Sequence, residues 1–252
     1  MFAAGIKVKP YERFNYVIVK QYMQFFLKKF SIFQNKETFK ICTDSILIGA
    51  WANVGNTKSI LDIGAGSGIL GFMLAQRSKA EITFIEKNKY AFESILINIK
   101  SYPFENKFFT IKNDFFKEPF YKKFDLIICN PPYFTNSKLS IKHEDARHQT
   151  NFKLSSFFEK TYNILALQGK LNLVFPFNLL QNLLILAFSN GFYLSKKCEV
   201  KHATESKPSL VLLEFSKTVS TTLYQTLEIK SSEESYTEEY KKLTQPYLIF
   251  DS

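Results

Sequence analysis

The pattern of hydrophobic and polar positions switches repeatedly between two periods from Lys58 to Phe188. Short apolar runs are typical of buried strands, and apolar residues that recur every third or fourth position are typical of one helix face. The predicted strands are 59–63, 81–85, 108–111, 124–129 and 170–175, and the predicted helices are 69–76, 88–100, 154–165 and 179–188. This alternation predicts a doubly wound α/β fold in which the carboxyl ends of the strands share one edge.

The flanking segments follow the pattern less closely. Residues 25–33 predict a strand or hairpin at the edge of the domain, and Thr43 or Asp44 is predicted to cap an apolar helix. Residues 192–200 and 210–215 predict two further strands at an antiparallel end of the sheet. We therefore expect a mostly parallel seven-stranded sheet with an antiparallel edge strand.

The regular pattern also bears on domain organisation. Residues 1–22 lack a clear period, and Met23 stands directly before the patterned region. The hypothesis that follows is an N-terminal extension read from a non-native start codon, ahead of a single domain at 23–252 with small N- and C-terminal additions. A chain of 252 residues that is 46% hydrophobic can bury the core of one such domain.

Composition narrows the class of partner and the compartment. The net charge of +10 favours a polyanionic partner, most often a nucleic acid, although a solvated lysine-rich surface is the alternative. Three cysteines without paired spacing predict a reducing environment, so we expect a cytoplasmic protein. Polar residues interrupt the most apolar region, 171–188, and no membrane segment is expected. The three histidines have no ligand-like spacing, so no metal is predicted.

A glycine-rich turn between the first predicted strand and helix indicates a nucleotide-type cofactor. Asp62 precedes Gly64, Gly66 and Gly68, and Glu86 ends the next strand, where a carboxylate can hold a ribose diol. The spacing is GxGxG rather than GxGxxG, and an acidic residue beside the loop repels a pyrophosphate. Both features disfavour a nicotinamide oxidoreductase and favour S-adenosylmethionine, which has no phosphate and carries a positive sulfonium.

The third predicted strand of the sheet ends near Asp114 and Phe115, on the same edge. A carboxylate there can accept a hydrogen bond from an adenine amine, while an aromatic ring packs on the base. The alternative interpretation of Asp114 is a helix N-cap.

The fourth predicted strand ends in Asn130, Pro131, Pro132 and Tyr133. Two prolines stop the strand and make a rigid corner at the edge where ligands bind in such sheets. The Asn130 side-chain oxygen and the Pro131 carbonyl can each accept one N–H of a planar amine, and Tyr133 can stack on a flat substrate. We therefore expect catalysis by positioning and electrostatics at an exocyclic amine.

With these motifs the chain resembles the bacterial tRNA1(Val) (adenine37-N6)-methyltransferase family of S-adenosylmethionine-dependent enzymes with an NPPY motif. The resemblance extends from about Phe25 to Phe250 and departs at the N-terminal extension and at Cys42, where a glycine is expected. The matching landmarks are Thr43 to Ala52, Leu61 to Gly68, Leu126 to Tyr133, Ala146-Arg147 and Ser235 to Gln245. The resemblance implies a Rossmann-like class I methyltransferase fold that methylates the adenine next to the anticodon.

The resemblance also implies how cofactor and RNA are held. Lys40 and Thr43 are expected to join the cofactor site. Lys138, Lys142 and Arg147, in a polar loop of about twenty residues, are expected to grip the RNA backbone beside Tyr133. A monomer is favoured. The alternatives are an NPPY methyltransferase acting on a release-factor glutamine or on DNA or rRNA bases, and a non-catalytic RNA-binding module with the same fold.

Overall fold

The computed structural model of the protein describes residues 21–131 and 144–250, with the side chains of 144–152 excepted. Its strands are β1 (Tyr22–Phe26), β2 (Ser31–Asn35), β3 (Ser59–Ile63), β4 (Glu81–Ile85), β5 (Phe108–Ile111), β6 (Phe124–Cys129), β7 (Leu165–Pro176), β8 (Tyr193–Ala203), β9 (Leu210–Ser216) and β10 (Leu223–Lys230). Its helices are α1 (Thr43–Trp51), α2 (Ile69–Ala75), α3 (Lys89–Ser101), α4 (Glu144–Ile164), α5 (Leu180–Ser189) and α6 (Glu238–Thr244), with a 3-10 turn at Phe177–Leu179.

Within the described ranges, eight strands form one sheet in the order β10-β8-β9-β7-β6-β3-β4-β5. All neighbouring strands are parallel except β9, which is antiparallel to both β7 and β8. The mostly parallel, doubly wound sheet is therefore confirmed. The expected seven strands become eight, and the antiparallel strand lies inside the sheet because β10 adds a parallel edge beyond β8.

The sheet separates two hydrophobic cores. Successive side chains of a strand point to opposite faces, so Ile60 of β3 packs in one core and Leu61 in the other. The first core includes Phe72 of α2 and Ile95 of α3, and the second includes Phe157 of α4. This layering leaves the carboxyl ends of β3, β4, β5 and β6 together at one edge.

Four predicted strands, 59–63, 81–85, 108–111 and 124–129, are confirmed at both ends. The predicted start of α4 is wrong. This helix begins at Glu144, ten residues before the predicted position, so it takes up part of the expected polar loop. Its first turns are too polar to show an apolar period, which is the signal that sequence reasoning depends on.

Two other expectations near the chain ends need correction. Neither Thr43 nor Asp44 caps α1, because the N-cap is Cys42 and it makes no side-chain capping bond. Asp44 instead lies in the first helical turn, where a carboxylate interacts favourably with the helix dipole. The tail contributes the eighth strand, β10, which sequence reasoning missed because its first four residues are exposed on both faces and show no alternation.

Of the two alternatives predicted for residues 25–33, a strand or a hairpin, the structure shows the hairpin, the antiparallel pair β1–β2, and its strands extend to Tyr22 and Asn35. It lies on α3, since the Phe33 amide donates to Asn98 Oδ1 at 2.7 Å and the Asn35 amide donates to Ser94 Oγ at 3.2 Å. Strand β2 therefore runs toward the N-terminus of α3, which follows the carboxyl end of β4. The connection from β2 to α1, residues 36–42, consequently reaches the edge where the predicted site lies.

Candidate active site

The glycine loop leaves open space at the carboxyl end of β3. Gly64 and Gly66 have φ angles of 63° and 58°, a left-handed conformation that favours glycine. A Cβ atom at either position would meet nothing within 4 Å. Gly68, at φ 87°, is the N-cap of α2. The backbone of this loop is therefore exposed to a ligand and unobstructed by side chains.

Glu86, at the end of β4, is hydrogen-bonded to the glycine loop. Its carboxylate is largely buried, with a relative exposure of 8%. Oε2 accepts from the Gly66 amide at 2.9 Å, and Oε1 accepts from the Asn88 amide at 2.7 Å. Each oxygen keeps a second lone pair, so this oriented carboxylate can also accept from a pair of hydroxyl groups.

Asp62 is fully buried beneath the same loop. Its Oδ2 accepts from the Gly71 amide of α2 at 2.9 Å, whereas Oδ1 has no hydrogen-bond partner within the described part of the chain. Burial raises the pKa of this carboxyl to about 7, the Gly71 N–H opposes the rise, and the negative charge of Glu86 adds to it. An arriving positive charge would stabilise the ionised form.

The end of β5 places Asp114 at the same edge. Asp114 Oδ1 accepts from the Phe116 amide at 2.9 Å, and Oδ2 lies 3.5 Å from Lys87 Nζ. The Phe115 ring is mostly buried and packs near Phe157, so it faces the core between the sheet and α4. The exposed ring of this turn belongs to Phe116.

Lys160 of α4 shapes the turn after β5, a role that sequence reasoning missed. Its Nζ donates to the carbonyls of Phe116 and Glu118 at 2.9 and 2.7 Å and lies 5.3 Å from the centre of the Phe115 ring. Burial lowers the pKa of this lysine, while Glu118 opposes the shift. No local sequence signal marks this role, since Lys160 stands between the polar residues Glu159 and Thr161.

Asn130 ends β6 beside the glycine loop, and its amide orientation is set by α1. Its Nδ2 donates to Ser45 Oγ at 2.9 Å and lies 3.8 Å from Cys42 Sγ. Ser45 is buried on α1, with 8% exposure. Because the amide is planar and its nitrogen faces Ser45, the carbonyl oxygen Oδ1 lies on the other side and can accept a hydrogen bond from a ligand. Pro131, also buried, follows directly.

Ser45 was not predicted as a site residue. The only available sequence signal was a small polar residue in an otherwise apolar helix, three positions after Cys42. Lys40 and Thr43, the two residues expected to join the cofactor site, are exposed on either side of Cys42. The structure thus brings both to the Asn130 side of the sheet edge.

The predicted substrate-binding side chains belong to the segment around residues 133–147. Tyr133, Lys138 and Lys142 lie outside the described residues, and Arg147 is placed only as backbone within α4. Among the side chains that the structure describes, those of residues 21–131 and 153–250, no group of three or more from histidine, cysteine, aspartate and glutamate is arranged to hold a metal ion. The helices in those ranges are all too short or too polar to cross a membrane.

Comparison with known proteins identifies the family. Residues 26–190 match the model of the methyltransferase small domain. The chain is 34% identical to the tRNA1(Val) (adenine(37)-N6)-methyltransferase of Tolumonas auensis, over 89% of this chain and 96% of that protein. It is 32% identical to the protein of that name from a Flavobacteriaceae bacterium, over 90% and 99% of the two chains.

The fold comparison agrees. A crystal structure of a predicted O-methyltransferase from Agrobacterium tumefaciens superposes with a TM-score of 0.60 at 16% identity, covering 81% of this chain and 96% of the other. That likeness concerns the fold alone. On the family model and the curated relatives together, the chain belongs to the tRNA1(Val) (adenine(37)-N6)-methyltransferase family.

Proposed function

We propose that the protein transfers a methyl group from S-adenosylmethionine to the N6 amine of adenine 37 in the anticodon loop of tRNA1(Val). The observation that carries the proposal is the Asn130 amide, which Ser45 holds at 2.9 Å at the edge that also bears the glycine loop and Glu86. The relatives at 30% identity or more along most of the chain bear the corresponding name.

The residues at this edge fit S-adenosylmethionine. The open Cβ positions at Gly64 and Gly66 leave room for a ligand against the backbone. The buried Asp62 Oδ1, unpartnered among the described residues, lies in a region of negative charge shared with Glu86. Two acidic side chains suit a cationic sulfonium and repel a pyrophosphate, which favours this cofactor over a dinucleotide.

Residues that follow the carboxyl ends of β3, β4 and β5 would each bind a different part of the cofactor. Glu86 would hold the ribose hydroxyls, Asp114 the adenine amine, and the backbone from Gly64 to Gly66 the remaining adenosine surface. Lys40 and Thr43 would close the site on the α1 side. When bound, S-adenosylmethionine supplies an electrophilic methyl group on a positively charged sulfur.

The chain activates the acceptor by hydrogen bonding. The lone pair of an adenine amine is delocalised into the ring, which makes the nitrogen a weak nucleophile. Asn130 Oδ1 and the Pro131 carbonyl would each accept one N–H of that amine, which fixes its orientation and returns electron density to the nitrogen. Tyr133 would stack on the base, and Lys138, Lys142 and Arg147 would contact phosphates. An adenine in a single-stranded loop can enter such a site at modest cost.

The test is methyl transfer to an unmodified tRNA1(Val) transcript, read by mass spectrometry of the released nucleosides. Wild-type protein is expected to produce N6-methyladenosine at position 37. Asn130→Ala should abolish turnover while cofactor affinity, measured by calorimetry, stays within a few-fold. Asn106→Ala is the matched control, because Asn106 precedes β5 at the opposite edge of the sheet, where its Nδ2 donates to the Ser78 carbonyl at 2.9 Å.

Two results would contradict the proposal. Methylation of a release-factor glutamine or of DNA, with no methylation of the transcript, would reassign the substrate. Substantial turnover by Asn130→Ala would remove the amine-orienting role from this residue.

In cells, tRNA from a strain that lacks the gene should have lost N6-methyladenosine at position 37.

A further inference from the structure

The most exposed phenylalanine in the described chain lies beside the candidate active site. Phe39, in the connection from β2 to α1, has a relative exposure of 92%. Its neighbours Lys36 and Lys40 are also exposed, with Glu37 as the acidic residue of this connection. An aromatic ring between cations is the combination that binds single-stranded nucleic acid, because bases stack on the ring while lysines contact the backbone.

The connection that carries Phe39 is held in place by a buried side chain. Gln34, only 4% exposed, donates through Nε2 to the Phe39 carbonyl and accepts at Oε1 from the Ile41 amide at 3.2 Å. Thr38 adds a turn, donating from its amide and its hydroxyl to the Asn35 carbonyl at 3.1 and 2.7 Å. The backbone is therefore fixed on both sides of an exposed ring, which lowers the entropy lost when the ring binds.

The position of Phe39 relative to Asn130 follows from the chain itself. Cys42 Sγ lies 3.8 Å from Asn130 Nδ2. Three residues of extended chain span at most ~11 Å, so the Cα of Phe39 lies within that distance of the Cα of Cys42. Phe39 therefore lies on the same side of the sheet edge as Asn130, where its exposed ring can meet a nucleotide close to the one whose base occupies the Asn130 site.

The same sheet edge is rich in exposed cations. Four exposed lysines follow the carboxyl ends of β4 and β5: Lys87, Lys89, Lys112 and Lys117. Lys87 pairs with Asp114 at 3.5 Å. The edge therefore offers phosphate contacts beside the ends of β4 and β5.

We propose that Phe39 is an RNA-binding residue that stacks on a base next to the target adenine, with Lys36 contacting an adjoining phosphate. When the adenine leaves the stack, the bases beside it lose a neighbour, and the Phe39 ring supplies a replacement surface. The proposal rests on the proposed function, because it takes the substrate of the Asn130 site to be an RNA loop.

The first test compares Phe39→Ala with Tyr121→Ala on an unmodified tRNA1(Val) transcript. Loss of one stacked base should raise the dissociation constant, and with it KM for tRNA, about 5- to 100-fold. The affinity for S-adenosylmethionine and the melting temperature should not change, because the ring is exposed. Tyr121 is the matched control: it is 95% exposed but lies in the segment that enters β6, at the opposite edge of the sheet.

Substitution by other side chains separates stacking from general hydrophobic contact. Phe39→Tyr should retain tRNA affinity, whereas Phe39→Leu, which is apolar but has no ring face, should resemble Phe39→Ala. Equal affinities of Phe39→Ala and wild type for tRNA would overturn the proposal, as would equal losses for Phe39→Ala and Tyr121→Ala.

A binding measurement distinguishes failure of this inference from failure of the proposed function. The chain has one tryptophan, Trp51, which is 7% exposed. Phe39→Trp adds an exposed fluorophore, and the tRNA transcript should quench its emission whether or not methyl transfer occurs. Quenching without methylation would leave the stacking role standing and refute the proposed reaction. Methylation by a Phe39→Trp protein whose added fluorescence is unchanged by tRNA would refute the stacking role alone.

Discussion

At the scale of single residues, the arrangement around Asn130 depends on one hydroxyl group. A side-chain amide has a donor end and an acceptor end that differ little in size, and an adenine amine needs the acceptor. Ser45 Oγ accepts from Asn130 Nδ2 at 2.9 Å and so selects the orientation in which Oδ1 faces the ligand. Ser45 thereby acts through Asn130 as a positioning residue.

Replacing Ser45 by alanine should lower kcat more than it raises KM for tRNA. The free amide can then rotate, and part of the population presents Nδ2 to the substrate amine. Loss of one hydrogen bond of about 1 kcal/mol predicts a several-fold decrease in kcat, which steady-state methyl transfer measures.

Ser101→Ala is the matched control for this substitution. Ser101 Oγ donates to the Ile97 and Asn98 carbonyls within its own helix and lies at the C-terminal end of α3. Activity should be unchanged there. A Ser45→Ala enzyme with wild-type kcat, or with a defect confined to cofactor affinity, would contradict the orienting role.

Asp62 makes the stability of the protein depend on pH. Its carboxyl has a pKa raised from the ordinary value to about 7, chiefly by burial. The folded chain therefore holds this proton more tightly than the unfolded chain. The contribution of Asp62 to the free energy of unfolding is fully present below about pH 4 and is lost as pH rises through about 7.

Asp62→Asn should remove this dependence. Urea denaturation at several pH values between 4 and 8 measures the free energy of unfolding of both proteins. As pH rises, the value for Asp62→Asn should increase relative to that of wild type, by on the order of 4 kcal/mol at most. Thr83→Val is the control, at another buried position whose hydroxyl has no partner within the described residues. It should change the free energy of unfolding by the same amount at every pH. A difference between Asp62→Asn and wild type that is the same at every pH would refute the assignment.

At the scale of elements, the contact between α2 and β4 sets the position of the glycine loop. A Cβ atom on Gly71 would lie 2.3 Å from Cε1 of Phe84, a ring fully buried in the first core. Gly71 also donates its amide to Asp62. The absence of a side chain here lets α2 approach the sheet, which brings its N-terminus, Gly68, to the carboxyl edge.

Gly71→Ala should therefore destabilise the protein, by about 1–3 kcal/mol of unfolding free energy, although alanine is the better helix former. Gly49→Ala on α1 is the comparison. Its Cβ would meet Sδ of Met73 at 2.7 Å, and methionine is flexible enough to move aside, so a smaller loss is expected. Urea denaturation measures both, and equal stability of Gly71→Ala and wild type would contradict the close approach.

The elements that sequence reasoning predicted are those with a strong local signal. The runs at 59–63 and 124–129 are mostly apolar and are followed by Gly64 and by Asn130-Pro131, so their bounds were recognisable. β10 was not, because its first residues are exposed and its pairing with β8 is a long-range contact. Ser45 and Lys160 were missed for the same reason: each acquires its role from a partner distant in sequence, Asn130 and Glu118 respectively.

At the scale of the whole molecule, the tail joins parts of the fold that are far apart in sequence. Tyr247 is almost fully buried in the first core, and its hydroxyl donates to the Met73 carbonyl at 2.9 Å. Its own carbonyl accepts from the Lys28 amide, just after β1. Burial raises the pKa of Tyr247 to about 12, while Arg77 opposes the shift. The β1–β2 hairpin, α2 and the C-terminal tail are therefore bonded to one another on one face of the sheet.

The net charge of +10 predicts that substrate and cofactor respond differently to salt. Each phosphate contacted by a lysine or arginine releases condensed counterions, so the logarithm of the tRNA association constant should fall linearly with the logarithm of salt concentration. With about six contacts, affinity falls on the order of 1,000-fold between 50 and 200 mM salt. S-adenosylmethionine carries no phosphate, and its affinity should change little over that range. Replacing Lys36 by glutamine should reduce the slope by about one, whereas replacing Lys79, at the opposite edge, should leave it unchanged. A tRNA affinity independent of salt would contradict phosphate binding by this surface.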